Sequence, residues 1–267
     1  MLGEDVVIAI LDTGCDLNHN DLKNRIIGGK NFTHDFNGDI NNFNDNNGHG
    51  THVAGIIGAE NNNSGIIGVA PKSKLLILKV LSEDGTGDTN WIIDAIKYCI
   101  NWRGSNCEKV RIISMSLGCE TYINDLHEVI VDAAKNNIVM VCAAGNNGDG
   151  KLNTEEFQFP AVFSEVIQVG AINRLGELAD FSNTNSEVDV LAPGVDIIST
   201  FINDSYIKLT GTSMAAPHIS GAMALVISEC NNKELSLKDL KSKFYKYIRL
   251  EEYEKKCLGA GVLEFHD

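Results

Sequence analysis

Val6-Val7-Ile8-Ala9-Ile10-Leu11 is apolar at all six positions and runs directly into Asp12-Thr13-Gly14. A strand with one face in water alternates apolar and polar residues. One without alternation is buried on both faces, which is the condition of a central strand in a parallel sheet covered by helices. The stretch therefore predicts an α/β fold. It also places Asp12 at the carboxyl end of such a strand, where open α/β sheets bind their ligands. A turn or capping aspartate accounts for Asp12 equally well at this point.

Four further strand signals lie at 75–81, 110–117, 138–142 and 166–171, with helical patterns at 90–101 and 125–135 and turn residues at Gly85, Gly87 and Gly104. This repeated β-α order predicts a mainly parallel sheet with helices on both faces, a three-layer sandwich. Residues 18–47 are rich in Asn and Asp and read as irregular surface loop, in which a single acid is expected to be solvated. Towards the C-terminus an apolar helical run at 215–228 is followed by a polar break, Asn231-Asn232-Lys233, and a helix over 237–247 with Ser236 as its N-cap. No internal repeat and no linker divides the chain, so residues 1–267 read as one domain.

Composition narrows the function. With 22 basic against 36 acidic residues the formal charge is −14, which disfavours nucleic acid and anionic membrane and favours cations. No apolar run approaches the roughly 18 residues of a membrane span, and the first residues carry no signal-peptide pattern, so a soluble protein without a secretion signal is expected. Seven cysteines (Cys15, Cys99, Cys107, Cys119, Cys142, Cys230 and Cys257) are odd in number and form no CxxC pair. That pattern predicts buried free thiols in a reducing, cytoplasmic compartment.

Two segments carry chemistry. In Gly211-Thr212-Ser213-Met214-Ala215-Ala216-Pro217-His218 the serine opens an apolar helix, where unpaired N–H groups and the helix dipole stabilise an oxyanion. Ser213 is a candidate nucleophile, or simply a capping serine. A nucleophilic hydroxyl needs a base and an orienting acid. Gly48-His49-Gly50-Thr51-His52-Val53-Ala54-Gly55 places two histidines three apart at a helix start. No third ligand with zinc-site spacing accompanies them, so His49 is the candidate base and His52 a packed structural histidine.

The segments VVIAILDTGCD, NGHGTHVAG and LTGTSMAAPH, in that order, resemble the acid, base and nucleophile blocks of the subtilisin-like serine proteases, peptidase family S8, and the resemblance runs almost end to end. Through DTGCD, IIGGKNFT at 26–33 and CAAGNNGDG at 142–150 it is most similar to the intracellular subtilisins of Gram-positive bacteria. The resemblance implies a serine endopeptidase acting on proteins or peptides, with Ser213 as nucleophile, His49 as general base, Asp12 as orienting acid, and Asn146 with the Ser213 N–H in the oxyanion hole. It implies substrate held between Gly85-Thr86-Gly87 and Ser116-Leu117-Gly118. The pocket for the residue on the acyl side of the scissile bond would be walled by residues 116–118 and by Ala143, Ala144 and Gly145, with Asn147 and Gln158 near its base. Cys119 and Gln158 stand where many relatives have glycine.

The same resemblance implies calcium: a tight site from Asp21 and the loop bearing Glu60, Asn62, Ser64 and Ile66, and a weaker cation site from Glu187, Asp189 and carbonyls near Ala161, Phe163 and Val166. In the family a further segment and a propeptide precede the first strand, whereas here Gly3 almost abuts it, so the tight site is expected to lack one ligand. A homodimer is expected by analogy with the intracellular members. Two other readings stay open: a protease or transpeptidase of narrow specificity, and an inactive binding module of the same fold.

Overall fold

The apolar hexapeptide and Asp12 form β1 (Val7–Asp12), buried at every position. It lies between β3 (Lys74–Lys79) and β4 (Val110–Met115) and is parallel to both. The computed structural model describes residues 2–152, 154–230, 235–249, 259 and 261–263; the polar stretch Asn231-Asn232-Lys233 and Cys257 lie outside them. With β2 (Ile26–Asn31), β5 (Val139–Ala143), β6 (Val166–Ile172) and β7 (Val190–Pro193) the sheet runs β7-β6-β5-β4-β1-β3-β2, seven parallel strands. A hairpin of β8 (Ile197–Phe201) and β9 (Ser205–Leu209) stands apart. The short strands β10 (Ile248–Arg249) and β11 (Val262–Leu263) extend the edge at β7.

Alternate residues of β1 face opposite layers, as strand geometry demands. Ile8 and Ile10 join Val53 and Ile57 of α1 (His49–Gly58) and Ala222 and Met223 of α4 (Thr212–Glu229). Val7, Ala9 and Leu11 join Ile92 and Ile96 of α2 (Thr89–Asn101) and Leu126 and Ile130 of α3 (Asn124–Lys135). Burying such aliphatic side chains contributes about 1.5–3 kcal/mol each, so this double-sided core fixes β1, and Asp12 at its end, with little freedom.

The reading of 18–47 as surface loop is corrected. It contains β2, a sheet-edge strand whose Gly28-Gly29 pair hides the apolar signal; a side chain on Gly29 would collide with the Ile77 carbonyl and the Phe43 ring. Asp21 within it is fully buried. The strands β7, β8 and β9 gave no signal because each spans only four or five residues. The last helix, α5 (Leu237–Phe244), is capped by Ser236 and gives way to a 3-10 turn at Tyr245–Tyr247. Cys15, Cys99 and Cys142 are buried free thiols, while Cys107 is exposed and Cys119 and Cys230 are half-buried.

Candidate active site

Asp12 ends β1 with its carboxylate 1% exposed. Its Oδ1 accepts from the Thr13 N–H at 2.7 Å and from His49 Nδ1 at 2.7 Å. Because Nδ1 carries the proton in that bond, Nε2 holds the lone pair and can act as base. His49 is the first residue of α1, and the chain enters it through Gly48 at φ 109, where a side chain would strike the Phe201 ring. Burial alone would lower the His49 pKa. The charge and hydrogen bond of Asp12, with Asp45 adding to them, outweigh burial and leave it above 6.5.

Asp45 holds this corner together. Its Oδ1 accepts from Thr13 Oγ1 (2.9 Å), Asn47 N (3.0 Å) and Gly48 N (2.8 Å), and its Oδ2 from Thr51 N (2.9 Å) and Thr51 Oγ1 (2.6 Å). It thus anchors the exposed donors at the start of α1. Thr13 Oγ1 in turn accepts from Gly50 N at 2.8 Å, joining the acid strand to the base helix. Beneath them the fully buried Lys79 ammonium reaches the Thr13 carbonyl (2.7 Å), Asn46 Oδ1 (2.9 Å), the Leu81 carbonyl (2.9 Å) and Asp35 Oδ2 (2.9 Å).

Ser213 lies in the first turn of α4, whose leading N–H groups have no intrahelical partner. Pro217, four residues on, has no N–H to offer the Ser213 carbonyl, and Ser116 Oγ donates to that carbonyl instead at 2.9 Å. The Ser213 hydroxyl faces the Ser116 carbonyl at 3.5 Å. Ser213 is therefore tied to Ser116, just past the end of β4. Asn146, beyond β5, accepts on Oδ1 from Thr212 N and Thr212 Oγ1, both at 2.9 Å. That fixes the amide so that Nδ2 is the donor left over. Asn183 steadies the same loop: its Nδ2 donates to the Ala144 carbonyl (2.9 Å) and its Oδ1 accepts from Asn147 N (2.7 Å).

Two recesses adjoin these groups. One, of about 540 Å³, is lined by His49, Leu81, Gly85, Thr86, Gly87, Ile92, Ser116, Leu117, Gly118, Cys119, Leu126 and Phe159 among others. The other, of about 220 Å³, is lined by Ser116, Leu117, Gly118, Ala143, Gly145, Asn146, Asn147, Gln158, Thr212 and Ser213. The expected substrate segments thus line two recesses that share Ser116, Leu117 and Gly118 as a common wall. Ala144 is the exception, being fully buried behind the wall. His52 is packed as expected: its Nε2 meets the Ile197 and Ile207 carbonyls at 3.0 and 3.3 Å, and burial pushes its pKa down to about 4.

Among the described residues no cluster of three His, Cys, Asp or Glu side chains could hold a metal. The loop from Glu60 to Ile66 rests instead on one carboxylate. Asp21 accepts from Asn62 Nδ2 (3.0 Å), Ile66 N (3.1 Å) and Tyr206 Oη (2.8 Å), all neutral donors. Left-handed turns at Asn63 and Gly65 curl the backbone around it. A buried carboxylate without a cationic partner among the described residues, in an oxygen-rich loop, fits a hard cation such as calcium. The Glu60 side chain is taken by Asn24 and Arg25, its carbonyl accepts from Asn62 N at 2.9 Å, and Asn62 Oδ1 accepts from Ser64 N at 2.9 Å, so a cation would have to share these oxygens with the loop's own N–H groups. At the second expected site Asp189 is bound to Gln168 N (2.8 Å) and Tyr245 Oη (2.9 Å), and burial raises its pKa. Glu187 is exposed there, and the Phe163 carbonyl already accepts from Val166 N. Those residues do not fit a cation as they stand.

The sequence reading missed Thr13, Asp45, Lys79, Thr212 and Asn183. Only Asp45 carried a local signal, an acid just ahead of a helix start.

A hydroxyl at a helix N-terminus, an imidazole held by a buried carboxylate and a fixed amide donor beside an open cleft define a hydrolase of the serine-nucleophile class. The profile of the subtilase family matches residues 3–250. The chain is 49% identical over 265 residues to the major intracellular serine protease of Bacillus subtilis (strain 168), covering 98% of this chain and 81% of that protein. It is 52% identical over 224 residues to an intracellular serine protease of Paenibacillus polymyxa (84% and 67%), and 41% over 227 residues to the subtilisin of Bacillus pumilus (85% and 78%). The chain belongs to the subtilase family.

Proposed function

We propose that the chain is a serine endopeptidase whose chemistry runs on Asp12, His49, Ser213 and Asn146. The observation that carries the reading is the 2.7 Å bond from His49 Nδ1 to buried Asp12, because it leaves Nε2 as the base. Ser213 Oγ attacks the scissile carbonyl carbon as Nε2 takes its proton, and Asp12 stabilises the imidazolium. The oxyanion receives Asn146 Nδ2 and the Ser213 N–H. His49 then gives its proton to the leaving amine, which departs and leaves an acyl ester on Ser213. Water, deprotonated by the same imidazole, hydrolyses the ester and restores the hydroxyl.

Substrate lies extended between 85–87 and 116–118, pairing by main-chain hydrogen bonds. Calcium at the Glu60–Ile66 loop is structural and takes no part in the steps above. The cysteine usage and the names of the relatives support a cytoplasmic setting, and no helix among the described residues is long and apolar enough to cross a membrane. The homodimer is carried over from the family resemblance alone. The test is labelling with a fluorophosphonate probe together with peptide hydrolysis: the native chain labels and cleaves, Ser213→Ala does neither while keeping its melting temperature. A native chain that neither labels nor cleaves refutes the reading.

A further inference from the structure

A third recess, of about 740 Å³, shares no residue with the two that adjoin the site. Ile172, Val195 and Ile197 give it an apolar floor, while Arg174 and Leu175, from the turn after β6, and Lys208, from β9, stand exposed at its edge. The turn is stiff. Asn173 Oδ1 accepts from Leu175 N (2.8 Å) and Glu177 N (3.1 Å), and Asn173 Nδ2 donates to Glu177 Oε2 (2.9 Å). Glu177, the acid nearest Arg174 in sequence, is thereby tied back, and neither Arg174 nor Lys208 has an ion-pair partner among the described residues. Among the residues lining the recess these two are cations and one, Asp196, is an acid. On a chain of formal charge −14 that balance reverses the prevailing sign locally.

Backbone contacts join this recess to the site. Asp196 N donates to Thr210 Oγ1 (2.9 Å) and Gly211 N to the Gly194 carbonyl (2.8 Å), and a Cβ built on Gly211 would lie 3.5 Å from Asn146 Nδ2. Thr210 stands three residues before Ser213, at most about 11 Å away, a span that an extended substrate covers in about three residues. The acyl side of the substrate is taken by 85–87 and 116–118, none of which lines this recess, so a chain that reaches it does so from the leaving side. We propose that the recess binds the leaving-side segment of an extended polypeptide substrate, and that Arg174 and Lys208 select an acidic side chain three to five residues after the scissile bond. This rests on the endopeptidase reading. The carboxylate meets two unpaired cations, the apolar floor takes the aliphatic carbons beside it, and Asp196, at the end tied to Thr210, repels an acid from the first two positions.

The experiment uses internally quenched peptides with one acyl-side sequence and Asp or Asn at the second to sixth position after the scissile bond, the cleaved bond being read by mass spectrometry. After active-site titration with the fluorophosphonate probe, kcat/KM is measured at about 20 mM and about 500 mM salt. At low salt the native chain favours Asp over Asn about 5- to 10-fold at one of the third to fifth positions, since an exposed ion pair is worth up to about 5-fold and two cations act together. High salt brings the ratio to within about twofold of unity. Arg174→Gln with Lys208→Gln abolishes the preference at low salt, and Arg174→Glu with Lys208→Glu inverts it; both pairs of changes fall on exposed side chains. A native ratio within about twofold of unity at every position overturns the inference while leaving the protease reading intact, and so does a preference that survives in the double Gln variant. If that flat ratio comes with a Glu variant that elutes at a different volume in size exclusion, the recess belongs to a second copy of the chain and the inference falls. A native chain that neither titrates nor cleaves overturns both readings.

Discussion

Replacing Asp45 by asparagine removes one oxygen from a carboxylate that accepts five hydrogen bonds. The amide keeps the Oδ1 set but turns an NH2 group towards Thr51 N and Thr51 Oγ1, losing two bonds. Bonds to a charged acceptor are worth about 1.5–3 kcal/mol each, and since Asp45 is only half-buried the lower figure applies, giving about 3 kcal/mol. For a chain of this size that lowers the melting temperature by about 6 °C. Activity changes in a second way. Asp45 is one of the charges that lift the His49 pKa, so the acid limb of the kcat/KM profile in Asp45→Asn moves to lower pH. Scanning calorimetry with a pH-rate profile reads both effects. A variant that melts within about 1 °C of the native protein and keeps its acid limb would show that Asp45 is an ordinary surface acid.

In Asn146→Ala, kcat falls about 100- to 1,000-fold with KM little changed, the cost established for such a donor in a subtilisin; a raised KM with kcat unchanged would place Asn146 in ground-state binding instead. His49 has to be neutral to act, and its pKa is raised, so the native acid limb is centred above pH 6.5. A midpoint well below 5 would point to a carboxylate base. Excess chelator lowers the melting temperature, because a cation bound only to the folded chain stabilises it by about 2.7 kcal/mol at one hundred times Kd. The double variant Asp21→Asn with Asn62→Ala abolishes that response, and identical native melting curves with and without chelator would rule calcium out at this loop.

What the sequence discloses follows from how far each residue's environment is local. The hexapeptide at 6–11 carries its own burial on both faces, so β1 and the parallel sheet were legible, whereas Asp12 alone reads equally as a turn acid and Ser213 as a capping serine, and only the joint resemblance of the three segments to the subtilisin-like blocks singled them out as candidates. Asp45 was read as one more solvated acid, since the four residues that supply its five hydrogen bonds include Thr13, 32 positions away. Lys79 ends an apolar strand, and nothing local shows that its ammonium finds Thr13, Asn46, Leu81 and Asp35 in the dry interior. Asn183 is likewise an unremarked polar residue until the fold sets it against Ala144 and Asn147. Gln158 could be placed near the pocket, but that its side chain lies against both Gly118 and Gly145 had to be seen.

Asp12, His49, Asn146 and Ser213, the residues proposed to run the chemistry, come from β1, α1, the loop after β5 and α4, so no short fragment of the protein holds all four. Cleavage competence and susceptibility to cleavage are then opposite states of the same molecule: a folded copy is an enzyme, and an unfolded copy is extended peptide and hence substrate. When a few molecules open, their intact neighbours can digest them before they close again, which makes the loss of activity depend on concentration and renders it irreversible. The persistence of the enzyme is governed by how rarely the layers around β1 come apart.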